Sequence, residues 1–134
     1  MNQTFGKEYK LCSKKTIDAL FQEGQRLNVY PLHLTYQLID QPNSKAPFQV
    51  VTSVPKRQFK RAHDRNYIKR LLRESLRLNK TILEDFLANE NLKNKQLVLF
   101  LVYRDNKQPE YQFLFKKVNK LLLTLVATLE KNEK

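Results

Sequence analysis

From Leu32 to Leu38 apolar and polar residues alternate without a break (Leu, His, Leu, Thr, Tyr, Gln, Leu). That period of two marks a strand with one buried face. Residues Asp40 to Pro47, with Pro42, Asn43 and Pro47, read as a hairpin loop. Phe48 to Val54 is then expected to return as an antiparallel strand ended by Pro55. Leu97 to Tyr103 is a continuous apolar run bounded by Lys95 and Asp105, which suits a central strand buried on both faces. A weaker strand signal lies around Arg26 to Tyr30.

Helical periods fill the remainder. Ser13 can cap a short helix whose Ile17, Leu20 and Phe21 follow i, i+3, i+4 spacing, with Gly24 to end it. Asp64 is the candidate N-cap of a longer helix. A further helical stretch, Thr81 to Leu92, is set off by an expected bend near Asn79. After Pro109 a long amphipathic helix carries Tyr111, Leu114, Phe115, Val118, Leu122, Leu125 and Leu129. This order describes an α+β fold, a two-layer α/β sandwich. The chain of 134 residues is expected to form one domain over residues 1–134.

The helix after Asp64 is unusual. At about 100° per residue, Arg65, Asn66, Lys69, Arg70, Arg73 and Arg77 fall within an arc of roughly 140°. Tyr67, Ile68, Leu71, Leu72, Ser75 and Leu78 lie opposite and form an apolar seam. Solvated helix faces normally mix charge signs. Here Pro55 to Lys80 holds ten basic residues against Asp64 and Glu74, so the segment carries +8 of the chain's net +12. Such crowding costs stability unless a polyanion neutralises it. Arg presents a planar fork to phosphate, Lys a point charge, and Asn66 a donor and acceptor for a base edge or ribose hydroxyl. Lys56, Arg57, Lys60 and Arg61 in the preceding loop join Arg65, Asn66, Lys69, Arg70, Arg73 and Arg77 as candidate RNA-binding residues.

Composition narrows the chemistry. A single cysteine, Cys12, excludes an internal disulfide and a cysteine-based zinc site. The polar start of the chain lacks the apolar run of a signal peptide, and no stretch approaches the roughly 18 apolar residues of a membrane span. A reducing, cytoplasmic setting is expected. His33 and His63 have no metal-site spacing, and Glu84, Asp85 and Glu90 look like one solvated helix face. With only Gly6 and Gly24 there is no glycine-rich phosphate loop. No residues suited to a self-sufficient nuclease are visible, so no catalytic or metal-binding residue is assigned.

Arg65-Asn66-x-x-Lys69-Arg70-x-x-Arg73 resembles the arginine-asparagine-arginine signature of the bacterial ribonuclease P protein. Lys10-Leu11, Phe21 and Gly24 resemble the family's opening helix, and Ser53-Val54-Pro55-Lys56-Arg57 its Ser-Val-x-Lys-Lys strand end. Leu97 to Arg104 resembles its last strand. The order and spacing hold over roughly residues 8 to 126.

The resemblance implies a four-stranded sheet with a left-handed β-α-β crossover containing the signature helix. It implies a protein subunit that assists a catalytic RNA in removing the 5′ leader from precursor tRNA. The catalytic ribonuclease P RNA and precursor tRNA are the implied partners, with neither DNA nor membrane. No cofactor is expected on the protein alone, and Mg²⁺ is expected in the RNA-containing holoenzyme. By position, Ile17, Phe21, His33 and Thr35 are implied to line a leader-binding cleft, where aromatic rings can stack on bases. Ile17 stands where many members carry Phe, and Val51 where a glycine is usual. The Phe59-Lys60-Arg61 loop has one extra residue. Two other classes remain open: a ribosomal or chaperone-like basic RNA-binding protein, and a cationic amphipathic binder of anionic lipid.

Overall fold

The computed structural model describes residues 5–133. Strands β1 (Gln25–Val29), β2 (Leu32–Ile39), β3 (Phe48–Ser53) and β4 (Gln96–Tyr103) form one sheet in the order β1-β2-β4-β3. Helix α1 (Lys14–Glu23) precedes the sheet, α2 (Ala62–Leu87) joins β3 to β4, and α3 (Tyr111–Glu133) follows. β1 pairs with β2 and β2 with β4 antiparallel, whereas β3 and β4 are parallel. The β3-α2-β4 segment is thus the crossover unit that holds the signature helix.

The hairpin expected between β2 and β3 does not form, because β4 lies between them. A strand apolar from Leu97 to Tyr103 is best buried on both faces, and β4 takes the place between β2 and β3. Residues 40–47 instead cross the start of β4 and are fastened there by buried Gln96. Its Nε2 donates to the Ala46 carbonyl at 2.8 Å, and its Oε1 accepts from the Asn43 amide at 2.9 Å. A side chain this buried would be costly without those partners.

The expected bend near Asn79 is also absent, since α2 is one helix of 26 residues. Buried Asn79 donates from Nδ2 to the Ser75 carbonyl at 2.8 Å and accepts at Oδ1 from Asn119 Nδ2 at 3.0 Å. A residue with turn preference is satisfied inside the helix and ties α2 to α3. The N-cap position belongs to Arg61, which makes no capping side-chain bond, and not to Asp64. Asp64 sits in the first turn, where the helix dipole favours an anion.

One sheet face carries the main core. Leu32, Leu34, Phe48, Val50, Leu99 and Leu101 pack there against Ile68, Leu72, Leu76 and Leu83 of α2 and Leu114, Val118 and Leu125 of α3. Each such side chain contributes about 1.5–3 kcal/mol by leaving water. On the other face Leu20 of α1 meets Leu11 and Val98 in a smaller cluster. Ser13 caps α1 by accepting from the Thr16 amide at 3.2 Å, and Gly24 ends it. At Gly24 a Cβ would lie 2.4 Å from the Leu20 carbonyl oxygen and 2.9 Å from Thr35 Cγ2, so close approach, not unusual backbone, requires glycine. α1 leaves the rest of this face open.

Candidate nucleic-acid interface

The helical period works as the sequence implies. Ile68 and Leu72 are fully buried, which turns the cationic arc outward. Asn66, Lys69, Arg70, Arg73, Glu74 and Arg77 surround an open concavity of about 420 Å³ with Phe5 on its rim. Asn66 and Arg70 are exposed, and Lys69 and Arg73 are half-buried. The arc is not uniform: Arg77 pairs with Glu74, with Nε 3.1 Å from Oε2, and that bond holds the Glu74 carboxyl below its usual range.

Arg65 stands apart from this concavity. Its Nη1 donates to the Phe59 carbonyl at 2.8 Å and the Lys60 carbonyl at 2.9 Å. It therefore clamps the basic loop onto α2. Within that loop the Gln58 amide donates to the Pro55 carbonyl at 3.2 Å. Lys56, Arg57, Lys60 and Arg61 are all exposed, so the loop extends the cationic surface.

A segment that carried no site prediction borders the arc. The Phe5 and Tyr9 rings stack at 5.0 Å, and Tyr9 meets Phe48 edge-on at 5.2 Å. Tyr9 donates its hydroxyl to Glu84 at 2.6 Å. Burial first, and then the Glu84 carboxylate, push the Tyr9 phenol up to about 12. Glu84 is therefore an anchor for this segment, not part of a solvated face with Asp85 and Glu90. Asp85 is exposed, and Glu90 belongs to a separate short turn, Glu90–Leu92. Lys80 is buried, with Nζ 5.0 Å from the Tyr9 ring centroid, so one cation of the basic run faces inward.

The second concavity, about 570 Å³, opens where α1 stops covering the sheet. Phe21, His33 and Thr35 come together there, joined by Arg26, Asn28, Ser53, Phe100 and Arg104. Phe21 is 50% exposed, and its ring meets Phe100 edge-on at 4.7 Å. Burial, and then the charge of Arg104, lower the His33 pKa, which favours the neutral ring. Ile17 does not line this concavity. It packs on the Leu11, Leu20 and Val98 cluster. Arg26, Phe100 and Arg104 lie outside the set that the resemblance implies, because they sit on strands other than β2 or beyond the end of β4. The register places Arg26 and Phe100 on either side of Thr35, and Val102 opposite His33.

Residues 5–126 match a family model described as Ribonuclease P. The ribonuclease P protein component of Porphyromonas gingivalis is 33% identical over 128 residues, covering 94% of this chain and 90% of the relative. That of Chlorobaculum tepidum is 40% identical over 95 residues, covering 68% and 61%. Among solved structures, the Staphylococcus aureus RNase P protein superposes with a TM-score of 0.64 at 16% identity, covering 87% of this chain and 94% of that one. The Thermotoga maritima RNase P protein gives 0.64 at 18% identity, covering 86% and 96%. At such identities the structural likeness speaks to the fold alone.

Proposed function

The chain belongs to the ribonuclease P protein family and is the protein subunit of that endoribonuclease, and from this premise we propose how its two concavities divide the work. The α2 face and the Lys56–Arg61 loop dock the catalytic ribonuclease P RNA. The cleft between α1 and the open sheet face holds the 5′ leader of precursor tRNA. The catalytic centre of the enzyme is in the RNA, and the protein assists by binding and by reducing repulsion between two polyanions.

The observation that carries this reading is the cationic concavity of α2. Ile68, Leu72 and Ser75 of its seam are buried in the core, so the charged arc is turned outward, where a partner can meet it. The same burial argues against an amphipathic membrane binder, whose apolar side must be free, and no helix of the described residues is long and apolar enough to cross a bilayer. The leader reading rests on an exposed Phe21 beside Phe100, with Arg26 and Arg104 to meet phosphates. Stacking plus cationic guidance is how proteins hold single strands.

Mg²⁺ is assigned to the RNA of the holoenzyme. Among the described residues no group of three or more His, Cys, Asp or Glu could hold a metal ion, and Glu74 and Glu84 are engaged by Arg77 and Tyr9. The reading also places the protein in the cytoplasm, with its substrate.

Reconstitution with a bacterial ribonuclease P RNA tests the proposal. Addition of the protein should stimulate precursor-tRNA cleavage at low Mg²⁺, and the protein alone should cleave nothing. Cleavage by RNA-free protein would sink this division of labour.

A further inference from the structure

The aromatic column at the start of the described chain ends on the docking face. Phe48, Tyr9 and Phe5 follow one another at 5.2 and 5.0 Å, and the guanidinium carbon of Arg73 lies 5.6 Å from the Phe5 ring centroid. Phe5 also borders the concavity that Asn66, Lys69 and Arg70 share. The column is fastened at its base, because Tyr9 donates to Glu84 and the Lys10–Val50 bridge joins the segment to the edge of β3.

We propose that Phe5 is a positioning residue for RNA docking, one that holds the Arg73 guanidinium over the concavity and so makes the segment Phe5–Lys10 part of the RNA-binding surface. The physical reason is preorganisation. A free arginine loses rotamer freedom when it grips a phosphate, whereas one already seated on a ring loses less. Arg attracts the ring face electrostatically and still presents its N–H edge outward, since cation–π contact uses the plane and phosphate contact the edge. The stack at 20° between Phe5 and Tyr9 fixes the ring that does this.

The inference rests on the docking role of α2, and a double-mutant cycle separates failure of one from failure of the other. Affinity for a bacterial ribonuclease P RNA would be measured for the full chain with Phe5→Leu, Phe5→Tyr, Arg73→Ala and the pair Phe5→Leu/Arg73→Ala. Phe5→Leu should weaken binding about 2- to 5-fold, the range set by an exposed cation–π contact. Phe5→Tyr should bind as the parent does. In the Arg73→Ala background Phe5→Leu should cost nothing more. The free protein supplies an independent readout: the Arg73 Nε–H resonance should carry a ring-current shift that Phe5→Leu removes and Phe5→Tyr keeps. Equal losses from Phe5→Leu in both backgrounds would show a purely structural ring and overturn the proposal. So would unchanged affinity for Phe5→Leu while Arg73→Ala binds weakly. If Arg73→Ala itself bound normally, the docking role of this face would fall first and the inference with it.

Discussion

Arg65 holds Lys60 by its backbone: Nη1 donates to the Lys60 carbonyl at 2.9 Å and to the preceding Phe59 carbonyl at 2.8 Å. The first arginine of the signature thus shapes the protein as well as offering charge. Arg65→Ala should free the Lys56–Arg61 loop. Trypsin should then cut at Lys60 and Arg61 faster, and affinity for the catalytic RNA should fall. Arg70→Ala, whose side chain is exposed, should lose affinity with no gain in cleavage. Identical trypsin patterns for the parent and Arg65→Ala would show that the clamp has no hold on the loop.

Lys69→Ala and Arg70→Ala should each lose a charge-assisted contact worth about 1.5–3 kcal/mol, or roughly 10- to 150-fold in RNA affinity. Asp85→Ala is the proper control, because Asp85 is exposed while Glu84 anchors Tyr9. Glu74→Gln should tighten binding a few-fold by removing the one anion of the concavity and releasing Arg77. Tighter binding would appear directly in filter-retention titrations, and weaker binding would mean that Glu74 orients Arg77 for the RNA.

Salt should weaken that complex steeply. For about five phosphate contacts the log-log slope is on the order of −3.5 to −4.5. A slope near zero in the same titrations would separate the affinity from the charge excess.

The alternation of β2, the apolar run of β4 and the cationic arc of α2 were legible because each is a local period. What the sequence left hidden depended on partners far along the chain. Gln96 shows no sign of pinning residues 43–46, and Asn79 looks like a helix breaker until Asn119 meets it. Arg65 and Arg70 are the two ends of one cationic arc, and nothing in the helical period says that Arg65 is the one to reach the loop carbonyls. Phe5 and Tyr9 gave no periodic signal, being a short segment whose role arises from the Phe48 ring on β3 and charges on α2. Of the concavity beside Phe21, the resemblance implied Phe21, His33 and Thr35, whereas Arg26 and Phe100 needed the register of the strands on either side of β2.

Alkaline stability should depend on Tyr9. Its phenol is raised from 10.0 to about 12 in the fold, by burial first and then by Glu84. The neutral form is therefore favoured by folding. The stabilisation is fully present below the unfolded value near 10 and is lost as pH rises through about 12. Tyr9→Phe removes the titrating group and the bond to Glu84. It should lower the melting temperature at neutral pH and flatten the fall in stability between pH 10 and 12, with Tyr103, also raised to about 12, and the raised phenols of Tyr36 and Tyr30 among the groups that keep some slope. An unchanged alkaline slope in Tyr9→Phe would assign the whole transition to other groups.

Phe21→Ala should separate the two RNA partners. At 50% exposed, the ring is not core, so truncation should cost less than the about 3–5 kcal/mol of a buried Phe. It lines the cleft that Arg26 and Arg104 border, against the Phe100 ring. Losing one base stack costs about 1–3 kcal/mol. Precursor tRNA with a long leader should therefore bind the reconstituted holoenzyme more weakly, while mature tRNA and the catalytic RNA bind as before. Arg104→Ala should show the same leader dependence through lost phosphate contact, and by removing a neighbouring cation it should also let the His33 pKa rise. Leader-length series for both variants, with thermal unfolding measured in parallel, decide the matter. A large drop in melting temperature for Phe21→Ala without leader-specific loss would make the ring a packing element of α1, and equal affinity for long and short leaders in both variants would remove the cleft from substrate binding.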